Sequence, residues 1–206
     1  MVVAQLARAS ACGAEGCGIV PHRPPKFMKI ESFEKPKTQD ELLERYDMKF
    51  TDKQDITLTD LQEMKEKGVT TEMLLNFLEK KYNYLFHGSR NDIPFTEKLL
   101  SSEKGKIFAS SNPAIAILKA IYLNNAKNLG YPLNLAEDNS NLTLVVNEPK
   151  EGTVGEQGYV YIVSDKDSFE EDSNSNWQYF SKEKEVSFVK KIQVEKDDFK
   201  YPVIIK

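Results

Sequence analysis

Cysteine is almost missing from this chain of 206 residues, and so is histidine: there are two of each. Cys12, Cys17 and His22 all fall near the start, so from Met28 onward there is no cysteine and one histidine, His87. That excludes a disulfide framework from the body of the chain. A zinc site is disfavoured as well. Cys12, Cys17 and His22 lack a second ligand pair and only His87 remains to complete four ligands, so no metal is expected. Long apolar runs are also lacking. Ala114–Leu118 and Pro202–Ile205 fall far short of the roughly 20 residues of a membrane-spanning helix, so no membrane partner is expected. Nor is there a positive balance. The formal net charge of -4 argues against a broad basic face for nucleic acid, while leaving room for a small anion-binding pocket. What is present is ordinary: 40% hydrophobic and 29% charged residues suit a soluble domain of usual size with a short extension.

Residues 1–27 differ in kind from the remainder of the chain, being rich in Ala, Gly, Arg and Pro where the remainder is rich in Lys, Glu, Asp and Asn. They resemble the conceptual translation of a transfer-RNA gene. Ala4-Gln5-Leu6-Ala7-Arg8-Ala9 admits codons that spell a D-arm, and Ser10–Arg23 can encode an anticodon stem and a T-arm. Translation is therefore expected to begin at Met28, leaving 1–27 as a mis-assigned, disordered start. A secretory signal is not expected, because Arg8, Glu15 and the glycines interrupt the roughly 7–15 apolar residues that it needs. A body without cysteine fits a reducing cytoplasm.

Residues 28–81 read as a helical lead packing on the core. Thr38 or Asp40 caps a helix through Tyr46, Thr57-Leu58-Thr59-Asp60 opens a second that ends near Gly68, and Thr70 or Thr71 caps a third. From Tyr82 the pattern changes to strands: Tyr84–Phe86, Lys106–Ala109, Asn141–Asn147, Tyr159–Val163, Trp177–Phe180, Val186–Val194 and Pro202–Ile205. Asn112-Pro113 opens one main helix, expected to run to about Asn125. Asp165–Asn176 reads as an acidic, mobile loop. The class is α+β, with residues 82–206 as the functional domain.

A lone His-Gly-Ser is common, so its company matters. Tyr84-Leu85-Phe86-His87-Gly88-Ser89 is followed by Ile107-Phe108-Ala109-Ser110, then a helix carrying Ala114, Ala116 and Ala120, and then Gly158-Tyr159-Val160-Tyr161. Trp177-Gln178-Tyr179-Phe180-Ser181 comes last, leading to Val186–Val194. In this order the pieces resemble the ADP-ribosyltransferase superfamily, on the side of diphtheria toxin and the poly-ADP-ribose polymerases, over about Tyr82 to Phe199. The resemblance implies a split β-sheet core, NAD as substrate, and a protein or nucleic-acid acceptor. Breaking the nicotinamide–ribose bond passes through an oxocarbenium-like state, so the site must hold both halves rigidly.

By the same resemblance, Gly88 would offer backbone N–H and C=O to the nicotinamide amide, its bare Cα allowing close approach. His87 would hydrogen-bond a ribose hydroxyl, with Ser89 and Phe108 beside it. Ser110 or Ser111 would contact the amide from the far side, although Ser110 is equally a candidate helix cap. Arg90 would meet a phosphate. Tyr122 or Tyr131 would stack on the nicotinamide. Departures are equally plain. Ile107 stands where the polymerases have tyrosine, Leu118 where they have a second, and Asn176 or Trp177 where a catalytic glutamate is due. Asn176 can orient a ribose but cannot offset a developing cation as a carboxylate does. Glu183 and Glu185 are the nearby carboxylate alternatives, on a turn that otherwise reads as solvated. The chain is thus expected to bind NAD, as a transferase or as a module of the same fold that lost the chemistry. A third relative of that fold, an RNA 2'-phosphotransferase, would want several arginines, and only Arg45 and Arg90 come after Met28.

Overall fold

Each of the first three helices starts at a threonine. In the computed structural model, which describes residues 38–101, 105–122, 129–149 and 151–206, the Thr38 hydroxyl accepts the Glu41 N–H at 3.2 Å and opens α1 (Gln39–Phe50). The expectations placed on 1–27 lie outside the described residues, all of which fall in one compact unit. Leu43, Tyr46 and Phe50 are the buried apolar residues of α1, the helical spacing of one apolar face. A two-residue strand, β1 (Asp55–Ile56), comes next and leads into α2 (Leu58–Glu66). There the Asp60 carboxylate accepts the Thr57 N–H at 2.8 Å. Gly68, at φ +80°, ends that turn, a conformation that costs glycine little. The Thr70 hydroxyl caps α3 (Thr71–Tyr82), which stops at the left-handed Asn83.

After α3 come β2 (Leu85–Ser89), β3 (Leu99–Leu100), β4 (Ile107–Ser110), α4 (Pro113–Ile121), β5 (Leu129–Gly130), β6 (Leu144–Val146) and β7 (Gln157–Val163). The chain closes with β8 (Glu170–Glu171), β9 (Gln178–Ser181), β10 (Glu185–Val186), β11 (Lys190–Glu195) and β12 (Val203–Ile205). The architecture is α+β. Seven strands form the main sheet in the order β1-β11-β7-β2-β4-β9-β8, antiparallel except for β1 beside β11. A second sheet orders β12-β6-β5, and β3 pairs with β10.

Several expectations are corrected. The lead is not helical alone, because β1 within it extends the main sheet by pairing with β11. The main helix ends at Ile121 rather than near Asn125. Tyr122 turns extended and bridges to Val154, so a pairing partner from another loop decides the stop. Val186–Val194 is not one strand; β10 and β11 are separate and belong to different sheets. Within the loop 165–176, Glu170 and Glu171 are ordered as β8 by pairing with Phe180 and Tyr179.

Two glycines set the central packing. Gly88 on β2 and Gly158 on β7 lie under α4, and a Cβ on either would collide with a helix carbonyl, that of Ala116 over Gly88 and of Ala120 over Gly158. Ala116 and Ala120 are one helical turn apart, so the same helix face meets both strands. Eight of the nine α4 residues are buried; Lys119 is the exception. The main sheet is also unevenly joined. β2 pairs with β7 over five residues and β4 with β9 over four, yet β2 and β4 share the single pair Phe86–Ser110. A seam thus runs beside His87 and Gly88.

Gly88→Ala and Gly158→Ala are each expected to lower unfolding free energy by about 1–3 kcal/mol through overpacking of backbone on backbone. Gly130→Ala, where a Cβ meets only the Val145 side chain at 3.8 Å, is expected to change it by less than about 0.5 kcal/mol. Urea unfolding of the three variants checks the contrast, and equal losses would contradict it.

Candidate functional site

At the seam, the His87 Nδ1 lies 2.7 Å from the Phe108 carbonyl oxygen. A carbonyl only accepts, so Nδ1 carries the proton, and in the neutral ring Nε2 is an acceptor. Nε2 makes no hydrogen bond among the described residues, and the half-buried ring faces Tyr161 at 6.2 Å. Burial pushes the imidazole pKa below its ordinary value, helped by the charge of Lys119 and opposed by the bond to Phe108. His87 is therefore a neutral, oriented acceptor at neutral pH.

The structure gives Gly88 a different reason for being glycine than close approach of a ligand. Its missing side chain makes room for the Ala116 carbonyl. Ser89 sits at the strand end, its hydroxyl accepting the Asn91 N–H at 3.2 Å. Phe108 and Phe180 are direct partners across β4 and β9, so their half-buried rings share one face of the sheet. Lys119 Nζ lies 5.9 Å from the Phe108 ring and 5.3 Å from that of Trp177, and Lys106 Nζ lies 3.7 Å from the Phe180 ring.

Other expected site residues are spent on holding loops together. The Arg90 guanidinium donates to the carbonyls of Ile121, Gly152 and Thr153. These four bonds brace the end of α4 against the following loop and leave no fork for a phosphate. Asn176 accepts the Leu135 N–H at 3.0 Å and donates to the Leu135 carbonyl at 2.8 Å. Its amide mimics a strand partner, and neither end is available to a ribose. Glu183 is exposed on the turn after β9, as the solvated reading of that turn implied. Tyr122 is buried, edge-on to Phe199 at 5.7 Å, and stacks on nothing that enters the seam. Ser110 is buried, its hydroxyl accepting the Asn112 N–H and donating to the Asn112 carbonyl, a turn role rather than a ligand contact. Tyr131 packs against Trp177 at 5.9 Å.

Ser111 and Asn176 instead line a cavity of about 480 Å³ between α3 and the start of α4. Its wall is knitted by a chain of polar bonds. Tyr201 donates to Glu72 at 2.6 Å, Asn139 to the Tyr201 hydroxyl at 3.1 Å, and Asn112 to Asn139 at 2.6 Å. The buried Trp177 also lines it, with an indole Nε1–H that has no partner among the described residues. Neither His87 nor Gly88 does. Of the residues that the sequence grouped into one cleft, His87, Gly88 and Phe108 lie at the seam, Ser111 and Asn176 line this cavity, and Arg90, Tyr122 and Glu183 belong to neither.

A candidate residue that the sequence reading did not single out is Lys119. Burial brings its pKa down to about 8, and among the described residues no carboxylate or hydrogen-bond acceptor meets its amine. One charge in the apolar run Pro113–Ile121 was the available signal. Among the described residues no group of His, Cys, Asp or Glu is placed to hold a metal ion, and no helix is long and apolar enough to cross a membrane. Comparison with protein-family models, with curated proteins and with solved structures gives no match.

An uncompensated cation should cost stability. The unfolded lysine keeps its proton to about pH 10.4, whereas the folded one loses it near 8. Stability of the native chain therefore rises with pH across that window, and the full penalty applies below pH 8. Lys119→Met is expected to raise the melting temperature at pH 7 by about 2–4 °C, a discounted figure for a partly exposed group. The gain should shrink by about pH 10. Thermal unfolding followed by circular dichroism at both pH values checks this; a gain unchanged with pH would contradict it.

Proposed function

We propose that this chain binds NAD at the seam between β2 and β4 in an ADP-ribosyltransferase-like architecture. The observation that carries the reading is the His-Gly strand lying beside the Phe-Ala strand with a single pair between them. The ordered His87 imidazole spans the gap, with its Nε2 left to accept a ribose hydroxyl. Further support comes from α4, which comes after the Phe-Ala strand and packs over the His-Gly strand, and from the late strand β9, which pairs along all of β4. Nicotinamide would lie along β2 beside Gly88, and ADP-ribose would pass to a protein or nucleic-acid acceptor.

A second reading, binding without transfer, is favoured by one specific observation. At the head of β9 no carboxylate replaces the expected glutamate: the Asn176 amide is committed to Leu135, and Gln178 donates to Asp172 at 2.9 Å. An amide leaves the developing ribose cation without an opposite charge.

Saturation-transfer NMR on the chain with NAD is expected to show binding that His87→Ala weakens about tenfold, the worth of one hydrogen bond. Absence of any NAD signal would refute the reading. Incubation with labelled NAD separates the two versions, since label transfer that requires His87 supports the transferase and excludes the binding-only module.

A further inference from the structure

Cations of the described residues that are drawn away from water are matched by anionic or carbonyl oxygen almost throughout. Lys191, 5% exposed, reaches Asp92 at 2.6 Å and Asp55 at 3.1 Å. Lys65 meets Glu195 and Asp198, and Lys190 donates to the carbonyls of Phe50, Thr51 and Lys53. Arg90 is taken up by backbone carbonyls. Lys119 breaks the pattern. Among the described residues its amine meets only the ring faces of Phe108 and Trp177, and ring faces return only part of the lost hydration. A desolvated charge without a partner is costly in a folded chain, and such a cost persists where a ligand supplies the missing charge.

The surroundings state what kind of ligand. Phe108 and Phe180, register partners across β4 and β9, place two half-buried rings on one face of the sheet as an apolar platform. Lys119 stands over one end of it and Lys106 over the other. A flat ring stacks on such a surface, and a compact ammonium suits a phosphate. We propose that Lys119 anchors the phosphates of a nucleoside diphosphate whose planar base lies on the Phe108–Phe180 platform. This deepens the NAD reading, on which it rests for the wider ligand, and it moves the phosphate contact from Arg90 to Lys119. The depressed pKa of the amine accords with a site built to be completed by an anion.

Acetic anhydride labelling of the full chain, read lysine by lysine by mass spectrometry, tests the proposal. ADP and inorganic pyrophosphate are each expected to protect Lys119 at least about fivefold, with adenosine and nicotinamide giving little protection; an effect of that size corresponds to roughly one charge-assisted contact. Exposed lysines such as Lys182 serve as the internal reference. ADP binding should weaken about tenfold or more in Lys119→Met and persist in Lys119→Arg, with circular dichroism confirming that both are folded. No protection by either phosphate overturns the proposal, as does equal protection by a short single-stranded oligonucleotide, which would assign the lysine to nucleic acid. NAD binding that is unchanged in Lys119→Met also overturns it while leaving the NAD reading intact. Protection by ADP in a chain that does not bind NAD sustains the proposal and removes that reading instead.

Discussion

The contact between α4 and the two bare positions beneath it governs the rest of the molecule. Because Gly88 and Gly158 carry no side chain, the helix carbonyls of Ala116 and Ala120 come down onto the strands themselves. Helix and sheet are normally separated by a layer of side chains, and removing that layer brings backbone to backbone at close range. Everything that α4 carries is thereby set at fixed height above β2 and β7. Its start supplies the Asn112 cap beside the polar cavity, its end is braced by Arg90, and its one lysine is held over Phe108.

The seam arises from the same packing. β2 is bound firmly to β7 on one side, while β4 is bound to β9 on the other, and one residue pair joins the halves. Where the ladder stops, the imidazole of His87 takes over, donating to the Phe108 carbonyl and holding its second nitrogen ready. Two cations sit otherwise than the simplest reading of the chain has them. Arg90 is consumed by the Ile121 carbonyl at the end of α4 and by the loop carbonyls of Gly152 and Thr153. Lys119, in the most apolar helix, meets no counter-charge among the described residues.

Much of this architecture was legible beforehand. The capping residues near the helix starts, of which the structure uses Thr38, Thr57 and Thr70, the proline at the start of α4 and the apolar run of β7 are local signals, and the structure obeys them. What failed was non-local. The two-residue strand β1 exists only because β11 lies beside it, and the end of α4 is set by Val154. Tyr122 is a core residue rather than a stacking ring, because the register of α4 turns it toward Phe199. Asn176 was offered as a substitute catalyst, yet the loop carrying Leu135 folds back onto it and uses both ends of its amide.

The sequence by itself determined the α+β class, the places where helices begin, and the succession of a His-Gly strand, a Phe-Ala strand, a helix and late strands. Those are matters of capping and periodicity, which act over a few residues. Only the tertiary structure decided which polar groups remain available. Availability is a question of what else lies within about 3 Å, and that depends on segments far apart in the chain: Arg90 on Gly152, Asn176 on Leu135, Lys119 on the absence of any acceptor among the described residues. Physically, a side chain's identity fixes what it can bond, and the packing around it fixes what is left to bond with.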